Sequence, residues 1–371
     1  MERILVTGAA NIGKAGVATI VYNWGQEFDT DILVYDYLMQ SGLPDEQFQK
    51  AIEKKGGKMH TIDGGSKDLL TVIKWIEKII RENGYQTLHI NSDPAYVAAV
   101  YIYIAKKTGI RNIYVHSHCT QVDDANFARR KIKTLLHKFC RSYVCGNTRK
   151  FLACSRLAGE WMFGEKNVNS GNYQTIYNGV EVEKYLYDAE ARKAYRGKMG
   201  LGQKYVIGCI GRFSYQKNHG FLIDMFVKYV MQYPDSVLML VGDGELRQKI
   251  ETKIEQAGIR DKVIFLGLRK DVPALLSVMD VMVMPSYFEG LPVTMVEAQM
   301  ASLPCVVSSN ITNEAKFTDH VEYIEGYDID VWIKALTEAK DHKRKQNREE
   351  KLDSLFNIRV ASSTLREILL G

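Results

Sequence analysis

"YVIGCIGRF" (residues 205–213) decides how the chain is read, because it starts over something the chain has done before. It is a short apolar run that stops at a glycine and gives way to a polar loop. "RILVTG", "DILVYDY", "TLHINS", "NIYVHSH" and "FLACS" make up a first series of such runs. Helical stretches alternate with them, such as "LLTVIKWIEKIIRENG" (69–84) and "PAYVAAVYIYIAKKTG" (94–109), each closing on glycine. After about residue 200 a second series follows: "YVIGCIGRF", "SVLMLVGDG", "KVIFLG", "DVMVMPS" and "PCVVSS". Apolar runs without alternation suit strands covered on both faces, as in parallel sheets. The expected class is therefore α/β, with two Rossmann-like doubly wound parallel-sheet domains. They are expected to face across a cleft at their strand ends, where such sheets bind ligands. "IYNGVEVEKYLYDAE" (176–190) is the expected junction, giving domains over 1–180 and 181–354.

The 371 residues are 46% hydrophobic and 25% charged, enough for two sizeable cores. The six cysteines form no C-x-x-C pair and no Cys/His zinc spacing, so free thiols in a reducing compartment are expected. "MERILVTG" reads as a strand rather than a secretory leader. The longest apolar run, "VAAVYIYIA" (97–105), is too short to span a bilayer. A soluble, cytoplasmic protein is expected, at most peripheral on the inner face of the cell membrane. "KDHKRKQNREEK" (340–351) reads as a charged, exposed helix or loop.

Charge is unevenly placed. Residues 1–180 hold 23 Lys+Arg against 17 Asp+Glu, a net +6, and the rest of the chain is close to neutral. No acidic residue occurs between Asp124 and Glu160, a window holding nine Lys and Arg interleaved with Phe127, Ile132, Leu135, Leu136, Phe139, Tyr143 and Val144. Over 127–150 this reads as a basic amphipathic helix. Two readings stay open: contact with an anionic membrane, or a solvated basic face with the apolar face in the core. Nucleic acid is not expected, because no RNA- or DNA-binding motif accompanies the window.

Three stretches carry chemistry. In "PSYFEGLPVTMVEAQMASLPCVVSS" (285–309), Glu289 falls in the loop after a strand and Glu297 inside the next helix. The two carboxylates can approach one long ligand from different points, and Gly290 opens a helix start suited to an anion. In "IGCIGRFSYQKNHG" (207–220), Arg212 and Lys217 follow a strand and together can neutralise a diphosphate without a metal. In "IYVHSHCT" (113–120), His116 and His118 follow a strand, and their rings are expected to face opposite ways, so that one points into the cleft.

The first loop, "VTGAANIGKAGVAT" (6–19), is ambiguous. The NTPase pattern fits Gly8, Gly13 and Lys14 but needs a hydroxyl where Ala15 stands. The dinucleotide fingerprint lacks its first glycine. Gly13 and Gly16 at a helix start also suit close approach to an anion, and a plain β–α turn is the alternative. A metal-dependent transferase would need D-x-D after a strand. "DTD" (29–31) and "DID" (328–330) instead read as turn or capping residues, and no catalytic metal is expected.

In this order the pieces resemble the retaining glycosyltransferases of family 4, which have the GT-B architecture. The resemblance runs nearly end to end, through "VHSH", "ACSRLAGEWMFG" (153–164), "IYNGVEVEKY", "GRFSYQKN", "VGDGELR", "FLGLRKDVPALLSVMDVMVMPSYFEGLPVTMVEA" and a closing helix. "ACS" followed by "AG.W.FG" is similar to members that build capsular or exopolysaccharide. The resemblance implies a first domain that takes the acceptor and is joined by the C-terminal helix (about 355–371), and a second that takes the donor. It implies that Arg212 and Lys217 bind the donor pyrophosphate. Glu289 would contact the donor sugar, Gly290 and Leu291 would offer backbone N–H groups, and Glu297 would hold the ribose. The loop at Leu268–Arg269 would lie by the base. His118 would sit near sugar and acceptor, with His116 beside it, and Gly13 and Gly16 would form the loop close to the donor phosphates and acceptor. The implied reaction moves a hexose or N-acetylhexosamine from a UDP-sugar to a lipid-linked glycan, with no cofactor and no metal. A sugar-nucleotide epimerase of the same fold, an NAD-dependent enzyme and a non-catalytic UDP-sugar-binding protein are the alternatives.

Overall fold

The computed structural model describes residues 1–13, 16–40, 42–62, 68–344, 351–352 and 354–371. The chain forms two compact units. One comprises Met1–Val122, Ala128–Val180 and Leu355–Gly371, the other Asp123–Phe127 and Glu181–Ser354.

The first unit holds a seven-stranded, all-parallel sheet: β1 (Glu2–Val6), β2 (Leu33–Met39), β3 (Met59–Thr61), β4 (Thr87–Asn91), β5 (Asn112–Ser117), β6 (Lys150–Ala153) and β7 (Tyr173–Thr175). Their order is β3-β2-β1-β4-β5-β6-β7, so the winding reverses between β1 and β4. Every residue of β2 and β4 is buried, as expected of strands covered on both faces. Asp36 in β2 is tolerated there because Arg3 reaches it through two hydrogen bonds (2.9 and 2.5 Å) and the Tyr85 hydroxyl donates at 2.6 Å. The helices Leu69–Asn83 and Ala95–Thr108 end on Gly84 and Gly109 in the left-handed conformation. The C-terminal helix Ile358–Leu370 is capped by Asn357 and packs on the helix Gly16–Glu27 of the same unit.

The second unit repeats the design with six parallel strands: β8 (Tyr205–Ile210), β9 (Ser236–Val241), β10 (Val263–Gly267), β11 (Val281–Met284), β12 (Cys305–Ser308) and β13 (Val321–Ile324). The order is β10-β9-β8-β11-β12-β13, with the reversal between β8 and β11. Its core packs Phe226, Tyr229, Trp332 and Leu336 against the apolar runs of β8, β9 and β11. β3, β7 and β13 have no counterpart among the strand-like runs of the sequence; each has only three or four residues and polar members.

The reading of 340–351 as exposed needs correction at its end; residues 345–350 lie outside the described residues. Lys351 is buried, and its Nζ donates to the Met300 carbonyl (2.9 Å) and the Ser302 hydroxyl (2.6 Å). The Arg344 guanidinium donates to the carbonyls of Leu276 and Met279. Both cations sit where helices end, and the carbonyls freed there attract positive charge. The two D-x-D stretches do serve as turn and cap. Asp29 accepts from the Asp31 N–H, and Asp328 accepts from the N–H groups of Asp330 and Val331 at the start of the helix Ile329–Glu338.

Candidate active site

In the second unit, the loops after β8 and β11 leave two adjacent strands at the winding reversal, where doubly wound sheets hold ligands. The β8 loop carries Lys217 and leads into the helix His219–Gln232; the β11 loop carries Glu289 and leads into the helix Val293–Met300. Lys217 Nζ meets Glu289 Oε1 at 2.7 Å, with only 13% and 7% of the two side chains exposed. Gln216 Nε2 donates to the other carboxylate oxygen at 2.9 Å and to the Phe288 carbonyl at 3.0 Å. The Glu289 carboxylate is thus held by a cation and an amide, and both of those come from the other loop.

Glycines make this arrangement possible. A Cβ on Gly211 would lie 2.8 Å from the Lys217 side chain, and one on Gly242 would lie 2.0 Å from the Gly211 carbonyl. Gly242 also has φ +135°, open to glycine alone. The "GRF" and "VGDG" loops therefore interlock backbone against backbone behind Lys217.

Glu297, just over one turn into the helix Val293–Met300, is buried. Burial raises its carboxyl to about 7, and a hydrogen bond from the Tyr185 hydroxyl works against the rise. Arg212 does not join Lys217 and Glu289. It is exposed and paired with Glu245 at 3.0 Å. Arg269 is likewise turned onto Asp271 through two hydrogen bonds (2.8 and 2.6 Å), with Leu268 beside it 60% exposed. Gly290 and Leu291 lie between Glu289 and the helix cap Pro292. A cavity of about 720 Å³ opens at the opposite, N-terminal ends of the central strands of this sheet, lined by Tyr205, Ser236 and Asp280, and takes in none of these residues.

In the first unit, Gly13 and Gly16 differ. Gly13 has φ +78°, and a Cβ there would press on the Phe48 ring at 2.6 Å, so the fold itself demands glycine. Gly16 starts its helix with an ordinary φ, and nothing lies within 4 Å of where its Cβ would be. Lys14 and Ala15 lie outside the described residues.

The expectation that the His116 and His118 rings face opposite ways is wrong. Residues two apart on a strand share a face. Their rings stack with centroids 4.4 Å apart, and Trp24 stacks on His116 at 4.9 Å. His116 is fully buried, and among the described residues neither of its ring nitrogens finds a hydrogen-bond partner, so it is part of the packing under His118. His118 Nε2 is 2.9 Å from Asn91 Oδ1, its backbone N–H donates to Asp93 at 3.1 Å, and Asn178 lies beside the ring. Burial drives His118 down to about 3, so the ring is neutral at pH 7. Burial also lifts the Asp93 carboxyl to about 6.

Sequence reasoning missed Gln216, Tyr185, Asn91, Asp93 and Asn178. Gln216, Asn178 and Tyr185 lie inside the stretches that carry the resemblance, but no spacing rule marks them. Among the described residues no group of three or more His, Cys, Asp or Glu could hold a metal ion.

Two family models match the chain: Glycosyltransferase Family 4 over residues 15–184, and Glycosyl transferases group 1 over 191–352. EpsF of Bacillus subtilis, which carries a provisional glycosyltransferase name, is 28% identical over 308 residues, covering 82% of this chain and 79% of its own length. The UDP-Gal:alpha-D-GlcNAc-diphosphoundecaprenol alpha-1,3-galactosyltransferase of Escherichia coli is 27% identical over 303 residues, covering 79% and 76%. Among solved structures, Anabaena HepE in complex with UDP and glucose superposes with a TM-score of 0.79 at 16% identity, covering 100% of both chains. Sucrose-phosphate synthase from Thermosynechococcus elongatus gives 0.80 at 17%, covering 99% and 98%. The two models between them account for most of the chain, one on each unit, and the chain belongs to the family 4, group 1 glycosyltransferases of GT-B fold.

Proposed function

We propose that this protein is a retaining, metal-independent transferase of cell-surface polysaccharide assembly. It moves a hexose or N-acetylhexosamine from a UDP-sugar to a lipid-linked glycan, working from the cytoplasmic side of the membrane. The observation that carries this reading is the buried Lys217–Glu289 pair with Gln216 at the winding reversal. An ammonium has three N–H donors, and Glu289 takes one. The others serve the oxygens of a diphosphate. The Glu289 carboxylate accepts from sugar hydroxyls, and the N–H groups of Gly290 and Leu291 face the same ligand. Glu297 accepts from the ribose hydroxyls. Arg212 and Arg269 turn from their carboxylate partners, Arg212 to the pyrophosphate and Arg269 to the base. In the first unit Gly16 leaves room for the donor phosphates and acceptor, and His118 meets the sugar as a neutral ring.

In the reaction the bond from the anomeric carbon to the β-phosphate oxygen breaks, and a bond to the acceptor oxygen forms on the same face. The acceptor's proton passes to the leaving phosphate. Negative charge grows on that phosphate as the bond breaks, so a fixed cation there stabilises the transition state more than the ground state. The name of the Escherichia coli relative specifies a UDP-sugar donor and a lipid-diphosphate acceptor, and the HepE structure holds UDP and glucose. The first supports the donor and acceptor classes chosen here, and the second supports the UDP-sugar donor alone.

The test is product analysis with labelled UDP-hexoses and UDP-N-acetylhexosamines, in a chelator, with undecaprenyl-diphosphate-linked sugars as acceptors. The expected product keeps the α configuration of the donor. A sugar nucleotide changed in configuration without any acceptor would make the protein an epimerase. Binding without turnover on any acceptor would make it a binding protein.

A further inference from the structure

The cavity of about 720 Å³ in the second unit lies at the ends of β8 and β11 away from Lys217 and Glu289. Tyr205 opens β8, Ser236 opens β9, and Asp280 and Pro304 immediately precede β11 and β12. All four residues line the cavity, and the four strands are neighbours in the sheet. Its size suits a small-molecule site.

The lining carries cations that the fold leaves without counter-charge. Four of its residues are Lys or Arg, and its two carboxylates are Asp235 and Asp280. Asp280 is already spent: Arg192 meets it at 2.6 Å, Arg196 at 3.3 Å, and the Val206 N–H donates to it at 2.7 Å. Lys340, Lys343 and Arg344 remain, against Asp235. Among the described residues none of the three is paired with a carboxylate. Arg344 has five N–H donors, and the carbonyls of Leu276, Ser277 and Met279 take three of them. Its guanidinium lies over the Tyr187 ring at 4.8 Å. Burial and the neighbouring Arg192 lower it to about 10, as befits a cation short of counter-charge. Lys340 Nζ sits over the rings of Tyr233 (3.6 Å) and Tyr205 (5.0 Å). Lys340 and Lys343 are otherwise exposed.

These features select a ligand class. Three cations on one short segment suit the oxygens of a phosphate. The tyrosine faces are taken by Lys340 and Arg344, which leaves no open ring for a nucleotide base. Inorganic phosphate is too small to fill the space. The remaining polar lining, Gln203, Gln232 and Asp235, offers amides and a carboxylate, the groups that bind hydroxyls. We propose that this cavity binds a phosphorylated sugar, with its phosphate on Lys340, Lys343 and Arg344 and its hydroxyls on Gln203, Gln232 and Asp235. The site is separate from Lys217 and Glu289 and goes beyond the transferase reading.

The test is titration calorimetry of the full-length protein in phosphate-free buffer, so it does not depend on turnover. Glucose 6-phosphate and N-acetylglucosamine 6-phosphate are compared with inorganic phosphate and with glucose. A hexose 6-phosphate is expected to bind, equally well with and without UDP and in Lys217→Ala. Inorganic phosphate is expected to bind more weakly, and glucose not at all. K340Q/K343Q is expected to weaken binding about tenfold or more, through lost charge-assisted hydrogen bonds, with its stabilisation by UDP unchanged. Lys343→Gln alone leaves the contact of Lys340 with the tyrosines in place and is expected to show part of the same loss. Q203A/Q232A is expected to narrow the gap between the hexose phosphate and inorganic phosphate. The proposal is overturned if neither hexose phosphate binds, if inorganic phosphate binds as tightly, or if both lysine variants bind like wild type. It is also overturned if UDP or Lys217→Ala abolishes binding, because the ligand would then occupy the donor site. If hexose phosphate binds as expected but no sugar transfer is found, the transferase reading fails and the second site stands.

Discussion

At Lys217 and Glu289, a single ion pair serves both stability and the proposed chemistry, and the two can be separated. Removing one member of a buried pair leaves the other charge without a partner, at about 3–5 kcal/mol. Lys217→Ala is therefore expected to lower the unfolding midpoint, and K217M/E289Q to recover most of that loss, measured by urea denaturation. Neither variant is expected to recover turnover, and losses of about 10²–10³-fold in kcat are expected. Recovery of activity along with stability in K217M/E289Q would show that the pair is only structural.

Glu297 gives a pH signature. Its folded carboxyl titrates at about 7, raised by burial above the usual range for glutamate. The group contributes stability below its unfolded value of about 4.3, and this is lost as pH rises through about 7. Glu297→Gln is expected to flatten the pH dependence of the midpoint between about pH 4.5 and 7. The proposed role of Glu297 in holding the ribose needs the carboxylate, so on that proposal donor KM is expected to rise as pH falls below 7. Tyr185→Phe removes a hydrogen bond to the carboxylate and is expected to move that rise to higher pH with little change in kcat. The carboxyl itself marks Glu297 as a candidate in the sequence. Nothing there reveals Tyr185, which comes from a distant part of the chain.

Among elements, the strands that carry ligand loops were legible because both of their faces are covered, so their apolar runs are unbroken. β3, β7 and β13 were not legible, because strands this short with polar residues resemble loops. The error over the ring directions of His116 and His118 was one of strand geometry, since residues two apart share a face. The glycines illustrate what sequence leaves undivided. "G" reads the same at Gly242, where φ and the Gly211 carbonyl demand it, and at Gly16, where the fold does not. Gly242→Ala is expected to cost several kcal/mol, on the order of a strained core substitution. Gly16→Ala is expected to leave stability within about 0.5–1 kcal/mol of wild type and to weaken activity, measured as kcat/KM beside urea denaturation. Equal stability of Gly242→Ala and wild type would contradict the interlock of the two loops.

For the molecule as a whole, the charge difference between the halves was visible by counting, and the two-domain reading followed from a series of strands that begins again. What counting could not tell is which way the basic helix turns its apolar side; that depends on His137, Trp161 and Ala95, three segments brought together only by folding. The central claim concerns the donor site, and it is tested most directly by thermal unfolding with UDP, GDP, ADP and NAD in a chelator. A ligand that binds only the native state at about 100 times its Kd adds about 2.7 kcal/mol. UDP alone is expected to raise the midpoint, by several degrees for a chain of this size, and Lys217→Ala is expected to remove that rise relative to its own baseline. A rise with NAD instead of UDP, or a UDP effect that persists in Lys217→Ala, would contradict the assignment of the donor site to Lys217 and Glu289.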